Sequence, residues 1–449
     1  MNFFKVSKVF LWLAPLMIFL VTTSTLFPFI VGKYVWFRTS VDLALICFML
    51  GLLFQDKTSA IFNSFISNFK KPLVIAVSAF ALMFLLACLF GVDPARSFWS
   101  NFERGEGGLQ LLHLFVFFIL LFTLLKEEKD WQVLFIFTFI GALGMVLYGV
   151  LAGFDVKNFI GLRFNDPGFR FQGSIGNSAY VAAYAIFMMF YAAYLLASKY
   201  KNQLFSLGAI ILWVLFVLFL AVFFGAATRG AFLGLIAALL VFLGYFAFCS
   251  KRWRKWFIAI SAVVLATVIL TVQFKNDSAF IKSLPTSRIF DISFSAKTFQ
   301  DRAIMWKIAI DGFKARPIFG WGPENFLQVF DRHFNTKYFK PAEGFGAWFD
   351  RAHSVYFDYL AETGILGLLS FLSMWFVFYW QFFKSRINTD KNTDRHGLIV
   401  KGLIVALPVA YLVQGIVLFD VLPIYMNIFM FLSFASYKLY NLQTTKYEK

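Results

Sequence analysis

Residues 205–249 read FSLGAIILWVLFVLFLAVFFGAATRGAFLGLIAALLVFLGYFAFC, with Arg229 as the only charged side chain in the run. At 1.5 Å per residue one helix of this length would reach roughly 67 Å, about twice the hydrocarbon thickness of a bilayer. The run therefore has to be two membrane spans, and the turn falls at Ala226-Ala227-Thr228-Arg229. The rest of the chain is built the same way. Of its 449 residues 60% are hydrophobic and 14% charged, where a soluble domain has roughly 45–50% and about 25%. These proportions exclude a soluble enzyme, a disordered regulator and a secreted disulfide scaffold. The expected fold class is all-α, a polytopic membrane protein.

Reading outward from 205–249, twelve transmembrane helices are expected, at about 10–31, 40–54, 72–91, 108–125, 131–152, 177–197, 205–225, 230–249, 256–273, 360–383, 397–419 and 422–440. The first lacks a small-residue cleavage site and reads as a retained helix. Together they form one integral-membrane domain over 1–449, with one long loop, 274–352, inserted between spans nine and ten. Within the loop, Ile304, Ile308 and Phe313 recur on a helical period across 298–313, before Arg316-Pro317 and the turn-rich Gly320-Trp321-Gly322-Pro323. This predicts a short amphipathic helix lying on the outer membrane surface.

The net charge of +17 would point to nucleic acid in a soluble protein, but here the basic residues sit in short loops between apolar spans. No nucleic-acid partner is expected; the lipid bilayer is. With the N-terminus inside, 21 Lys and Arg lie on the inner side and 8 in the short outer loops, the remaining 12 falling in the long loop. By the positive-inside rule both termini are cytoplasmic. Inside, 4 of 21 are Arg, whereas outside 11 of 20 are. A guanidinium binds phosphate with a planar fork that lysine lacks, although interfacial snorkelling also accommodates arginine. Cys47, Cys88 and Cys249 fall within or at the ends of apolar spans, so neither a disulfide nor a cysteine metal site is expected.

Side chains able to do chemistry are few. His353, in Arg351-Ala352-His353-Ser354, precedes span ten. If the helix begins there, His353, Phe357, Leu360, Gly364 and Gly367 share one stripe, and the glycines allow close helix packing. The residue reads either as a site histidine above that crossing or as one merely placed at the interface. Arg229, beside the ladder Ala226, Gly230, Gly234 and Ala238, is either a functional intramembrane arginine or one snorkelling from a helix end. Arg302 is a site candidate or part of a solvated face paired with Asp301. Asn177, in Gly173-Ser174-Ile175-Gly176-Asn177-Ser178, is an N-cap or part of an anion site at a helix start, with Arg163 and Arg170 nearby. No Asp-x-Asp pair, zinc-ligand spacing, Lys-Ser/Thr phosphate loop or Gly-x-Ser-x-Gly occurs, so neither a catalytic metal nor a cofactor is expected.

Arg351-Ala352-His353-Ser354 followed by Tyr359-Leu360-Ala361-Glu362-Thr363-Gly364-Ile365-Leu366-Gly367 resembles the His…Glu-x-Gly-x-x-Gly signature of the O-antigen ligase superfamily. Ala227-Thr228-Arg229-Gly230-Ala231 resembles its Ser/Thr-Arg-Gly helix start. Arg302 and Trp306, then Pro317-Ile318-Phe319-Gly320-Trp321-Gly322-Pro323, are similar to the segment leading into its Gly-x-Gly turn. Gly176-Asn177-Ser178-Ala179-Tyr180 is similar to its Gly-Asn-Pro-Asn-Tyr motif, with Ser178-Ala179 in place of Pro-Asn. The matches span about 173–367.

The resemblance implies a metal-independent, inverting transfer of a glycan from a polyprenyl (undecaprenyl) diphosphate to an acceptor hydroxyl, on the periplasmic face of a bacterial cytoplasmic membrane. It implies His353 as base, Arg229 and Arg302 on the diphosphate, and Arg351, Arg170, Asn177 and Arg163 as substrate-binding helpers. The acceptor is nominally lipid A–core. Polymerisation of a lipid-linked glycan and transfer to protein hydroxyls belong to the same superfamily. A lipid-linked glycan transporter or flippase is the alternative of a different class.

Overall fold

Proline decides where the first apolar run stops being a helix. In the computed structural model, which describes residues 2–54, 58–101, 104–274, 287–291, 297–338, 348–386 and 395–444, the helix Phe3–Leu13 is N-capped by the Asn2 side chain. It tightens at once into a 3₁₀ turn, Ala14–Phe19, with Pro15 in its opening positions. A proline ring offers no N–H and crowds the preceding turn. A loop follows, closed by the Thr22 N–H on the Pro28 carbonyl (3.0 Å) and the Lys33 ammonium on the Leu20 carbonyl (2.6 Å). The expected span at 10–31 is thus not formed. The next helix, Val31–Phe54, takes in the whole of the expected 40–54 span. Asp42 consequently stands in the middle of a 24-residue helix rather than near the end of a short one, and its Oδ1 lies 3.0 Å from His113 Nε2.

Among the described residues every regular element is an α-helix or a 3₁₀ turn, and nine helices are long and apolar enough to cross a bilayer. Nine rather than twelve has three local causes. The 10–31 run breaks at its prolines, Gly108–Leu124 is a shorter apolar helix, and Leu422–Thr444 carries Asn427, Ser433, Ser436 and Lys438 along its length. Parts of the long loop, 275–286, 292–296 and 339–347, lie outside the described residues. The chain forms two compact units, one of Met1–Ala142, Lys297–Gln381 and Ile416–Lys449, the other of Leu143–Ala296 and Phe382–Gly415.

In the second unit the expected spans appear as Ser178–Ser198, Leu207–Gly225, Arg229–Cys249 and Arg254–Gln273. The turn between the middle pair falls at 226–228, with Ala227 in the left-handed region at φ 45°. The small-residue ladder has the expected effect: a Cβ at Gly234 would lie 2.5 Å from the Ala410 carbonyl oxygen of the helix Arg395–Gln414. Only glycine permits that backbone approach.

In the first unit one broken helix positions the site. Val355–Arg386 departs from helical geometry at Gly364, with φ 65° and ψ −167°, a combination essentially confined to glycine. An unbroken helix would pair the Ile365 and Leu366 N–H groups with the Ala361 and Glu362 carbonyls. Instead the Trp321 and Gly322 N–H groups donate to those carbonyls (3.0 and 2.8 Å), and the Ile365 and Leu366 N–H groups donate to the Pro317 and Ile318 carbonyls (2.9 and 3.4 Å). These four groups are satisfied across the break, as apolar surroundings require. On its other side the same turn accepts the Val92 N–H on the Trp321 carbonyl (2.9 Å), just past Gly91.

The helix Lys297–Ala315 forms where its period predicts. Its apolar face, however, is covered by protein. Met305, Ile308 and Ala309 pack with Trp321, Phe326, Val329, Phe330, Ala352 and Ala361. The short helix Phe326–Arg332, the Gly-x-Gly turn, Ala352 and the helix Val355–Arg386 supply these partners, so protein covers the face expected to lie on the membrane surface, and Phe313 is only half-buried.

Candidate active site

His353 precedes the first residue of Val355–Arg386 and adopts φ 59°, a left-handed conformation costing a non-glycine residue roughly 1–2 kcal/mol. The stripe expected from His353 to Gly367 is therefore not continuous: the histidine lies outside the helix, and Gly364 breaks it. Hydrogen bonds hold the strained segment. The Ala352 N–H donates to Asp358 Oδ1 (2.6 Å), the Asp358 N–H to the Ser354 carbonyl (2.8 Å) and the Val355 N–H to the Leu418 carbonyl (3.0 Å).

The imidazole is equally constrained. Its Nδ1 lies 3.1 Å from the Arg351 carbonyl oxygen. A carbonyl can only accept, so in the neutral ring Nδ1 carries the hydrogen and Nε2 the lone pair. Phe349 and Phe419 meet the ring edge-to-face at 5.0 and 5.2 Å. Burial holds the imidazole below its ordinary value of 6.5; the charges of Arg302 and Arg104 push the same way, while the Arg351 carbonyl and Asp350 oppose. A neutral imidazole is a usable base at neutral pH.

Arg302 comes into electrostatic range of His353 through an aromatic stack. It lies one turn before Trp306 on Lys297–Ala315, and Trp306 stacks on Phe357 at 5.2 Å and 17°. Phe299 meets Trp306 edge-on at 5.7 Å. Phe357 is four residues past His353, so the stack ties the two segments together.

Arg351, expected as a substrate-binding helper, is surrounded by carboxylates. Its side chain is buried, Nη1 bonding both oxygens of Glu362 (2.9 and 2.8 Å), Nη2 bonding Glu324, and Glu106 Oε2 standing 3.5 Å away. Burial opposes the guanidinium charge, but the carboxylates outweigh it and raise the group well above its ordinary range. Burial also pushes the Glu106 carboxyl up to about 8, against the pull of Arg351. The Arg351 fork is occupied by carboxylates, not presented to a phosphate. Beside it Arg104 grips Asp350 with both arms (2.8 and 3.0 Å) and lies 5.0 Å over Phe419. Sequence reasoning gave no role to Glu106, Glu324 or Asp358. The one available signal was Glu362 inside the signature; nothing in the spacing links 106, 324 and 362.

In the second unit Arg229 opens the helix Arg229–Cys249, and its Nη1 donates to the Asp291 carbonyl (2.7 Å), with Asp291 Oδ2 at 3.6 Å. Arg170 donates through Nε to the Ala226 carbonyl (3.0 Å) and through Nη2 to Thr228 Oγ1 (2.8 Å). Burial lowers the Arg170 guanidinium to about 10, and Arg288 and Arg229 add to the effect. Three guanidiniums thus gather beside a helix N-terminus, an arrangement suited to an anion. Arg288 was not anticipated. It lies in the 3₁₀ turn Ser287–Phe290, which Phe290 anchors on Phe232 at 5.6 Å.

The remaining two candidates serve their own segments. Arg163 bonds the Ala152 and Phe159 carbonyls (2.7 and 3.2 Å) and pairs with Asp155 at 2.5 Å. Asn177 caps Ser178–Ser198, its Oδ1 accepting the Ala179 N–H (2.8 Å). His353, Arg302 and Arg351 therefore belong to the first unit, and Arg229, Arg170, Arg163 and Asn177 to the second. Among the described residues no group of three or more His, Cys, Asp or Glu side chains is arranged to hold a metal ion.

No curated protein matches the chain in sequence. Residues 214–372 match the family model described as O-antigen ligase. The matched segment contains Arg229, Arg302, the Gly-x-Gly turn, His353 and the broken helix at Gly364. That match supports, over residues 214–372, the resemblance of this membrane protein to the O-antigen ligase superfamily.

Proposed function

We propose that this chain is a metal-independent, inverting glycosyltransferase acting on the periplasmic face of a bacterial cytoplasmic membrane, with both termini in the cytoplasm. Its donor is a glycan on a polyprenyl (undecaprenyl) diphosphate. The family supports ligase- or polymerase-type glycosyl transfer, and one observation carries the mechanism: His353 is a half-buried imidazole whose Nδ1 is engaged by a carbonyl and whose surroundings disfavour protonation. Its Nε2 takes the proton of the acceptor hydroxyl as that oxygen attacks the anomeric carbon. The bond to the diphosphate oxygen breaks, the diphosphate leaves on its lipid as an anion, and the configuration inverts. General-base assistance of this kind contributes roughly 10²–10⁴-fold. By the family resemblance Arg229 and Arg302 stabilise the departing charge; within its own unit Arg229 is accompanied by Arg170 and Arg288. Arg351 and Arg163 are left out of the diphosphate contacts because their donors are taken.

The acceptor is nominally the lipid A–core of lipopolysaccharide, with a growing glycan or a protein hydroxyl as alternatives. A lipid-linked glycan flippase has one observation in its favour, the helix broken at Gly364, since broken helices mark transporter sites. Segment 317–322 bonds the 361 and 362 carbonyls and the 365 and 366 amides at that break, which favours a fixed scaffold over a substrate-lined gap. The test is transfer by purified protein from a polyprenyl-diphosphate oligosaccharide to a panel of acceptors, with EDTA present. Transfer by the wild type and its loss in His353→Ala are expected; equal activity in the two would refute the mechanism.

A further inference from the structure

The bond between His353 Nδ1 and the Arg351 carbonyl spans only two residues, so it depends on how one peptide group is turned. The Arg351 C=O and the Ala352 N–H belong to that same rigid plane and point in opposite directions. Asp358 Oδ1 holds the N–H end at 2.6 Å, which turns the C=O end toward the imidazole. The other restraint acts on Arg351 itself. Glu362 takes Nη1 with both oxygens, and Glu324 takes Nη2. The two carboxylates are joined to each other, because the Glu324 N–H donates to Glu362 Oε1 (3.1 Å), and Ser100 Oγ donates to Glu324 Oε2 (2.9 Å). Glu324 holds this position at φ 68°, outside the ordinary range for its residue type.

Burying so many charges is a poor way to gain stability, since buried ion pairs often do no better than apolar side chains of similar volume. What the knot does accomplish is geometric. We propose that Asp358 and Glu362 are positioning residues for His353: Asp358 fixes the peptide plane whose carbonyl takes the Nδ1 hydrogen, and Glu362, with Glu324, fixes the residue that owns that carbonyl. The pair keeps the imidazole in one tautomer, with its lone pair on Nε2. This rests on the reading of His353 as the base, and it assigns a chemical purpose to two buried acids that the transfer step itself does not use.

The test is ¹⁵N NMR of histidine-labelled protein in nanodiscs, with the His353 signals identified by their absence from His353→Gln. The wild type is expected to show His353 only as the Nδ1–H tautomer. Asp358→Ala and Glu362→Gln are expected to show a mixture with Nε2–H. Asp358→Asn, whose amide oxygen still accepts the Ala352 N–H, is expected to restore the single tautomer. In transfer assays Asp358→Ala should lower kcat by on the order of 100-fold with little change in the donor KM, as misplacing a reacting group does, and Asp358→Asn should recover most of it. An Nε2–H tautomer in the wild type, or an unchanged tautomer in folded Asp358→Ala and Glu362→Gln, would overturn the proposal. The single tautomer in a wild type that transfers glycan to no acceptor would instead overturn the transferase reading and leave the positioning intact.

Discussion

Replacing Gly364 with alanine should damage this protein far more than a glycine-to-alanine change in a helix normally does. In an ordinary helix interior the substitution stabilises by roughly 0.5–1 kcal/mol, because glycine is the poorer helix former. At Gly364 the φ of 65° and ψ of −167° lie where a side chain is strained by about 1–3 kcal/mol. The added Cβ would also lie 2.5 Å from the Ile318 carbonyl carbon and 2.7 Å from the Gly320 nitrogen, and it would press on the Ile318 oxygen. These are backbone atoms and cannot rotate away. Segment 317–322 would have to withdraw, giving up the bonds at 3.0, 2.8 and 2.9 Å that join Trp321, Gly322 and Pro317 to the opened turn. Each is worth about 1 kcal/mol net, more where a buried group is left unsatisfied. With the strain, the loss is about 5 kcal/mol, which lowers Tm by on the order of 10 °C for a cooperative unit of a few hundred residues. The alternative open to the variant is to straighten the helix, which re-pairs 361 with 365 but strands the Trp321 and Gly322 amides. The measurement is thermal unfolding in nanodiscs beside Gly244→Ala, a glycine with nothing within 4 Å of its missing Cβ, which should be neutral or slightly stabilising. Equal Tm values for Gly364→Ala and the wild type would refute the account of the break.

Arg302→Gln should move the acid limb of the kcat/KM profile upward, toward 6.5, because removing a positive charge near His353 eases its protonation. Activity then falls across the whole profile through the lost charge stabilisation, and falls further at mildly acidic pH; a limb that stays or moves down contradicts the placement of Arg302. Arg229→Lys should lose at least ten-fold in transfer despite keeping the charge, since an ammonium cannot reproduce the fork, and normal turnover would remove Arg229 from the site. Arg163→Ala should lower Tm through the lost Ala152 and Phe159 contacts yet leave the donor KM of the folded protein unchanged; a raised KM would return Arg163 to the diphosphate.

Much of this was legible in the sequence because it was local. The turn at 226–228 followed from the length of one apolar run, and His353 and Gly364 stood out within a dozen residues of each other. Pro15 and Pro28 are the local signal of the failed first span, set within the strong hydrophobicity of 10–31. The surroundings of Arg351 are hidden from the sequence for a different reason. Outer-side arginines read as phosphate ligands until their carboxylates are known, and Glu106 and Glu324 reach Arg351 from 245 and 27 positions away in sequence. The face of Lys297–Ala315 could be identified from its period, but no period says what will cover that face.

The opened turn at Gly364 also constrains how the protein is made. A helix that enters the bilayer with exposed carbonyls and amides at its break carries a penalty of several kcal/mol for each group left unsatisfied. The groups that satisfy them, at 317–322, leave the ribosome before the helix does. The upstream turn is therefore available as a template when Val355–Arg386 partitions into lipid, and the helix acquires its kink by docking on a segment already synthesised. Moving that segment downstream of the helix by circular permutation would leave the inserting helix without its template and favour a straight span.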